Sequence, residues 1–224
     1  MNTEWTFYDQ LLRFQLFQGL SRTELLQLAG QTKFGFTKMA AGKQVIREGD
    51  ACQQLWFLVS GSLLLTTESD DHGYSLTEDI SAPWLLQPEV LFGASPRYTC
   101  SVKTLSDAHF ITLTKDEVMR LLDDFLIFRL NFINLLSTQS QRRQHRSWRR
   151  QPLSLRDRII AFLLDRSTYP AGHKTVRILM TRLAQEVNDS RLDVSHELNK
   201  MQDEQLLTLH RGRIEIPSLE HLLM

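Results

Sequence analysis

The stretch that decides the fold runs from Thr181 to Met201 and reads TRLAQEVNDSRLDVSHELNKM. Apolar residues recur at helical spacing before and after Asn188, a residue that tolerates a left-handed backbone better than most. The pattern predicts two helices joined by a tight turn at Asn188. The residues predicted to pack these helices are Leu183, Ala184, Val187, Val194, Leu198 and Met201.

The second of these helices has a polar side that is available to another molecule. Ser190 and Asp193 have the spacing of a capping box, which places the helix start at Ser190. Because successive residues are about 100° apart, the apolar side lies opposite a polar face. A recognition helix presents the N-terminal part of such a face to the major groove of DNA. The candidate DNA contacts on this helix are Ser190, Arg191, Leu192, Ser195, His196, Asn199 and Lys200.

These candidate contacts differ in what they offer to DNA. Arg191 is predicted to contact a base, guanine in particular, because a guanidinium binds the O6 and N7 atoms together. His196 suits a base or a phosphate. Lys200 and Ser190 suit phosphates, which position a protein on DNA rather than specify sequence. Leu192 has no hydrogen-bonding group, so it either touches the methyl group of a thymine or packs against the preceding helix.

A β-hairpin is predicted from Leu206 to Ile216, which reads LLTLHRGRIEI. Gly212 supplies the positive φ that its turn needs. Arg211 and Arg213 lie at the tip, where they are placed to meet phosphates; a solvated turn is the alternative. Helix, strand, two helices and hairpin in this order predict a winged helix-turn-helix.

The N-terminal half has the pattern of a β-roll. Short apolar runs alternate with turn residues from Met39 to Leu113, as in LWFLVSG (55–61). Many short strands at this spacing favour a sandwich or a jelly roll. A helical segment with a capping-box start at Ser21 precedes the strands.

Three segments resemble the Crp/Fnr family of regulators. AGKQVIREGD (41–50) and LWFLVSG (55–61) are similar to the opening of its cyclic-nucleotide-binding domain, and residues 181–201 are similar to its helix-turn-helix. The resemblance implies an α+β fold with an N-terminal β-roll (1–114), a long dimerisation helix (115–150) and a C-terminal winged helix-turn-helix (151–224). It also implies a transcription regulator that binds double-stranded DNA as a homodimer. In well-known members an acid that accepts a hydrogen bond from cytosine occupies the position of Leu192, so the resemblance implies an operator different from the best-known one.

The nucleotide pocket departs from the family pattern. Glu89 can stand for the ribose-binding acid, but Tyr98 takes the place of the arginine that pairs with the cyclic phosphate. Arg97 is one place away, and neighbouring strand residues point to opposite faces. With Thr99, these residues are the candidate effector site. The sequence favours another small ligand, or none, over cAMP.

From Lys115 to Arg149 the sequence contains no glycine or proline, which predicts one long helix ended by Pro152. A heptad pattern predicts a dimer seam of Phe125, Phe128, Phe132 and Leu135. A stripe packed on the chain's own β-roll is the alternative. Leucines and isoleucines on the other faces indicate that the helix has two partners, the β-roll and a second subunit. The helix end is rich in arginine and is a second candidate for phosphate contacts: Arg142, Arg143, Arg146, Arg149 and Arg150.

Charge and composition narrow the classes of function. Residues 1–141 carry 11 Lys and Arg against 16 Asp and Glu, whereas residues 142–224 carry 15 against 10. The asymmetry points to a C-terminal half that binds anions. The sequence has no leader-like start and no apolar run long enough for a membrane span, so a cytoplasmic protein without membrane contact is predicted.

No cofactor, metal site or catalytic residue is predicted, and the chain is not expected to be an enzyme. Cys52 and Cys100 are too few for an iron–sulfur cluster. His72 and His109, the histidines of the β region, give little support for haem. RNA polymerase and an unidentified small-molecule effector are further candidate partners. The alternative function is a small-ligand module with a weak or vestigial DNA-binding domain.

Overall fold

The computed structural model describes the backbone of residues 3–147 and 152–223 and the side chains of residues 7–144 and 152–223. Within these limits the chain forms two units. Unit 1 comprises Met1–Leu63, Ile80–Thr99 and Lys103–Ser147, and unit 2 comprises Leu64–Asp79, Cys100–Val102 and Trp148–Met224. The units differ from the predicted domains because residues 64–79, expected in the β-roll, group with the C-terminal residues.

Unit 1 begins with helix α1 (Thr3–Leu12), a 3-10 turn (Gln15–Phe17) and helix α2 (Arg22–Gln31). The capping box predicted at Ser21 is present. The Ser21 hydroxyl accepts from the Glu24 N–H, and the Glu24 carboxylate accepts from the Ser21 N–H at 2.8 Å.

The strands of the N-terminal half are short, as predicted. In chain order they are β1 (Gly35–Met39), β2 (Gln44–Ile46), β3 (Gln54–Ser60), β4 (Ser62–Glu68), β5 (Tyr74–Ser81), β6 (Trp84–Leu86), β7 (Ser101–Thr104) and β8 (Ala108–Thr114). In unit 1 an antiparallel sheet has the order β1-β8-β3-β6. Its buried side includes Leu55, Phe57 and Ile111. The architecture confirms the predicted jelly-roll-like domain.

The predicted long helix is divided in two. Helix α3 (Lys115–Asp124) ends at Phe125, whose backbone is extended (φ −121°, ψ 102°), and helix α4 (Leu126–Ser147) follows. The break needs no glycine or proline, because the Phe125 N–H still bonds to the Leu121 carbonyl at 3.1 Å and its carbonyl accepts from the Arg129 N–H at 3.0 Å. Phe125 itself is buried.

Unit 2 contains the C-terminal elements and part of the N-terminal strands. The C-terminal elements are α5 (Leu155–Arg166), β9 (Lys174–Ile178), α6 (Met180–Glu186), α7 (Arg191–Asp203), β10 (Thr208–His210), β11 (Arg213–Ile216) and a 3-10 helix (Leu219–Leu223). In this unit neighbouring strands run in the order β10-β11-β9-β5-β4. Strand β9 therefore lies between the wing strand β11 and β5, with Tyr74 opposite Ile178 and Glu78 opposite Lys174.

One apolar core holds unit 2 together. It joins helix α5, the two helices α6 and α7, and strands β5, β9 and β11, for example through Phe162, Leu183, Leu198 and Ile214. Among the residues that the structure describes, no helix has the length and apolarity needed to cross a bilayer.

Candidate nucleic-acid interface

Helices α6 and α7 are joined by the tight turn that the sequence predicts. Asn188 has a left-handed backbone (φ 51°), which confirms its expected role. The Asn188 N–H bonds to the Gln185 carbonyl at 3.2 Å, and the Asp189 N–H bonds to the Ala184 carbonyl at 3.0 Å. The turn thus closes α6 and delivers the chain directly to the start of α7.

Helix α7 begins at Ser190 as predicted, but its cap is only half of a capping box. The Ser190 hydroxyl accepts from the Asp193 N–H at 3.1 Å and donates to the Asp193 carboxylate at 2.7 Å. The Ser190 N–H donates instead to the Asp189 carboxylate at 2.7 Å. Asp193, although on the exposed side, is therefore committed to holding the helix start.

The two sides of α7 are sharply different. Val194, Leu198 and Met201 are fully buried, as predicted. On the opposite side Arg191 and His196 are exposed, and Leu192 is 82% exposed. The alternative in which Leu192 packs against the preceding helix is therefore excluded in this structure.

The other candidates on α7 are partly engaged within the helix. The Asn199 amide donates to the Ser195 carbonyl at 2.8 Å, and the Lys200 ammonium lies 3.5 Å from the Glu197 carboxylate. Ser195 is half-buried, whereas Asn199 and Lys200 are exposed. The N-terminal half of the helix therefore presents the more available groups.

The wing is formed by β10 and β11, with Gly212 at its turn (φ 72°). Arg211 is exposed at the tip. Arg213 lies 2.9 Å from the Glu215 carboxylate, and His210 contacts the same carboxylate at 3.2 Å. The two predicted wing arginines thus differ, because Arg213 already has an acidic partner.

Two arginines of α5 hold the ends of α7, and the sequence patterns did not reveal them. Arg158 donates to the Val187 carbonyl at 2.9 Å and pairs with Asp189 in the turn. Arg156 binds the Glu204 carboxylate with both terminal nitrogens, at 2.9 and 2.5 Å. The sequence does contain a sign of these contacts: α5 carries two arginines, and an acid lies just before α7 and another just after it.

Strand β5 and the turn before it hold the first helix, α6, in a similar way. Arg182 of α6 lies 2.9 Å from Asp71 and 2.9 Å from Glu186. Arg166 lies 2.5 Å from the same Glu186 and donates to the Tyr74 hydroxyl at 2.7 Å. Both helices of the motif are therefore fixed by charged contacts as well as by the core.

The phenylalanines of the predicted dimer seam are buried within the single chain. Phe125, Phe128 and Phe132 are buried within unit 1, where Phe128 packs on Phe17 with ring centroids 5.4 Å apart. They cannot face a second chain, because unit 1 already covers them; Leu135 is half-buried.

The exposed apolar residues of α4 form a different stripe. They are Leu126 (55% exposed), Leu130 (50%) and Ile133 (53%), which also follow coiled-coil spacing. We call these three residues the outer stripe. Of the arginines at the end of this helix, Arg142 is exposed and Arg143 pairs with Glu89; the side chain of Arg146 and all of Arg149 and Arg150 lie outside the described residues.

The candidate effector residues are engaged in separate contacts. The buried Tyr98 hydroxyl donates to the Gln54 carbonyl at 3.2 Å, and burial raises the pKa of this phenol. The exposed Arg97 guanidinium donates to the Gly49 carbonyl at 2.8 Å. Tyr98 and Arg97 therefore contact different partners. Strand alternation, the predicted reason, does not apply, because both residues lie outside the strands and Arg97 forms only an isolated bridge with Ala51.

The side chains of Glu89 and Thr99 also have hydrogen-bond partners within the chain. The Glu89 carboxylate accepts from Arg143 at 3.1 Å, and the Thr99 hydroxyl accepts from the Gln87 amide at 2.5 Å. An open groove of about 740 Å³ in unit 1 is lined by Tyr98 but by none of the other three candidates. That groove thus does not bring the four residues together.

Two protein families match the sequence. Residues 36–125 match the family described as "Cyclic nucleotide-binding domain", and residues 157–224 match the family described as "Crp-like helix-turn-helix domain". The chain belongs to the Crp/Fnr family of transcription regulators. The matched ranges confirm the resemblance stated from the sequence, and the chain is a DNA-binding regulator of the Crp/Fnr type.

Solved structures share the fold of this Crp/Fnr regulator. The catabolite activator protein of Thermus thermophilus is 21% identical over 94% of this chain and 97% of its own, with a TM-score of 0.53. The sensor domain of the transcriptional regulator DNR from Pseudomonas aeruginosa is 19% identical over 69% of this chain and 99% of its own, with a TM-score of 0.54. None of the curated proteins matches the sequence.

Proposed function

We propose that this Crp/Fnr regulator acts as a homodimer that reads its operator with the exposed side of α7 and does not depend on cAMP. The observation that carries the proposal is the exposure of Arg191, Leu192 and His196 opposite a fully buried apolar side. A helix in this setting enters the major groove with its N-terminal residues. Arg191 then reads a guanine, and His196 contacts a base or a phosphate.

The remaining candidates position the protein on the DNA backbone. Ser190, Asn199 and Lys200 flank the base-reading part of α7, and Ser195 borders it. Arg211 binds a phosphate from the tip of the wing, because it is exposed and cationic. Arg213 has a smaller part, since Glu215 already neutralises its charge.

Dimerisation uses the outer stripe of α4 rather than the phenylalanine stripe, by which we mean Phe125, Phe128 and Phe132 of the predicted seam. Leu126, Leu130 and Ile133 are each at least half exposed and have no polar group, so a second copy of the same helix would bury them in a two-stranded seam. A symmetric dimer places two copies of α7 about one turn of DNA apart, roughly 10 bp.

The contacts of Tyr98 and Arg97 support the proposed independence from cAMP. A buried neutral phenol is a poor partner for a phosphate, and the guanidinium of the adjacent Arg97 donates to the Gly49 carbonyl. Signalling by an unidentified small molecule remains part of the proposal, with RNA polymerase as the partner on DNA. The regulator acts in the cytoplasm and performs no chemistry of its own.

The second candidate function is a small-ligand module whose DNA binding is weak. The groove of about 740 Å³ in unit 1 favours it. So do the mixed charges of α7, where Asp193 and Glu197 offset Arg191 and Lys200. A gel shift with the DNA upstream of the protein's own gene, at two salt concentrations, separates the two functions, because a working DNA-binding domain gives a salt-dependent shift.

Arg191→Ala is the variant that tests the base-reading role. We expect it to weaken operator binding by about 1–3 kcal/mol and to relax the preference at one base position in each half-site. Binding is measured on duplexes that differ at single positions. Arg211→Ala is the matched control: it should weaken all duplexes alike and reduce the salt slope by about one. If Arg191→Ala keeps the full sequence preference, the assigned role is wrong.

A further inference from the structure

The first turn of α7 exposes an apolar side chain that the fold does not use. Leu192 is 82% exposed, whereas the neighbouring apolar residues of this helix, Val194 and Leu198, are fully buried. A single exposed leucine is ordinary on a protein surface. This one is set apart by its place, one residue after Arg191 on the face that the proposed function directs into the major groove.

Few side chains in the first turn of α7, next to Leu192, have polar groups that are free to contact a base. Ser190 and Asp193 bond to each other across the helix start, so neither is available to read a base edge, although the Ser190 hydroxyl can still lie beside a phosphate. Within the part of the chain that the structure describes, Arg191 is exposed and makes no ion pair or side-chain hydrogen bond. The first turn thus presents one guanidinium and one isobutyl group to an approaching duplex.

The chemistry of base edges determines what an isobutyl group selects. In the major groove, the edges of adenine, guanine and cytosine are built mainly of hydrogen-bonding atoms, and an apolar side chain pressed against these atoms removes their water without replacing it. Thymine alone presents a methyl group there. Burying that methyl against Leu192 is favourable because both surfaces leave water.

From this geometry we infer that Leu192 is a specificity-determining residue that reads the 5-methyl group of a thymine in each half-site. The inference rests on the proposed function, because it requires α7 to enter the groove. Side chains of successive helical residues diverge by about 100°, so Arg191 and Leu192 reach different base pairs. The half-site therefore holds a guanine and, within one or two base pairs, a thymine.

Deoxyuridine provides a test that removes the methyl group and nothing else. Duplexes are first enriched from a random pool with the full-length protein, and each thymine of the enriched half-site is then replaced singly by deoxyuridine. We expect one replacement to weaken wild-type binding by about three- to tenfold, as for the loss of one buried methyl contact. The other replacements should have little effect.

Variants connect that loss to Leu192. Leu192→Ala should bind the thymine and deoxyuridine duplexes equally, and Leu192→Met, which keeps an apolar side chain, should restore most of the difference. Leu153→Ala is the matched control, since Leu153 is 84% exposed and lies before α5. It should behave like the wild type.

The outcomes separate this inference from the proposed function. Enriched duplexes with no sensitive thymine, or with a sensitivity that persists in Leu192→Ala, overturn the role of Leu192 and leave DNA reading by α7 in place. If no duplex is enriched at all, the proposed function fails, and the role of Leu192 fails with it.

Discussion

Lys174→Met is expected to lower the free energy of unfolding of unit 2 by about 3–5 kcal/mol, the usual cost of leaving one buried charge without its partner. Lys174 and Glu78 are 0% and 1% exposed, and their Nζ and Oε1 atoms are 3.2 Å apart. The Glu78 carboxylate also accepts from the Thr168 N–H at 2.9 Å, so it cannot turn away to water without losing that bond.

The loss of stability should extend to the DNA-binding elements. Lys174 begins strand β9, which pairs with the wing strand β11 on one side and with β5 on the other. The measurement is urea unfolding followed by fluorescence and by circular dichroism. The control is the double variant Lys174→Met with Glu78→Gln, which removes both charges and keeps an acceptor for Thr168. It should recover most of the lost stability, and equal losses in the single and double variants would show that charge is not the cause.

Leu130→Glu is expected to lower operator affinity by about a hundredfold or more, because two linked recognition helices gain that much from binding together. In the proposed dimer, residue 130 of one chain lies in the seam with residue 130 of the other. Two carboxylates there would be desolvated and would repel each other. The chain itself should still fold, since the Leu130 side chain is half exposed in the single chain.

The test combines sedimentation with DNA binding. Leu130→Glu should sediment as a monomer at micromolar concentration and should bind a single half-site as weakly as it binds the full operator. Leu105→Glu is the matched control, because Leu105 is an exposed leucine of unit 1 outside the helix (44%). A Leu130→Glu protein that remains a dimer would move the interface away from the outer stripe, and the phenylalanine stripe could not replace it.

The parts of the fold that follow from local sequence were predicted well. Helix α7 was recognisable because its apolar spacing, its N-cap at Ser190 and the turn residue Asn188 all lie within a few residues of one another. The wing was recognisable for the same reason, since Gly212 marks its turn between two short strands. Each of these signals depends on neighbours in sequence, so the sequence alone carries them.

The features that were missed depend on contacts between distant residues. The heptad spacing of α4 fits both the phenylalanine stripe and the outer stripe, and only packing on Phe17 decides that Phe128 faces inward. The break at Phe125 has no local breaker residue. The pairing of β5 with β9 joins residues about 100 positions apart, such as Glu78 and Lys174. The apolar pattern within each strand does not predict which distant strand it pairs with.

The most direct test of the central claim is selection of bound DNA from a random duplex pool, carried out in parallel with the wild type and with Arg191→Ala. For the wild type we predict two inverted half-sites with centres roughly 10 bp apart. With Arg191→Ala the same pair should appear with its preference lost at one position, in both halves alike. A wild-type pool that shows no enriched sequence, or an Arg191→Ala pool identical to it, would contradict reading of DNA by the exposed side of α7.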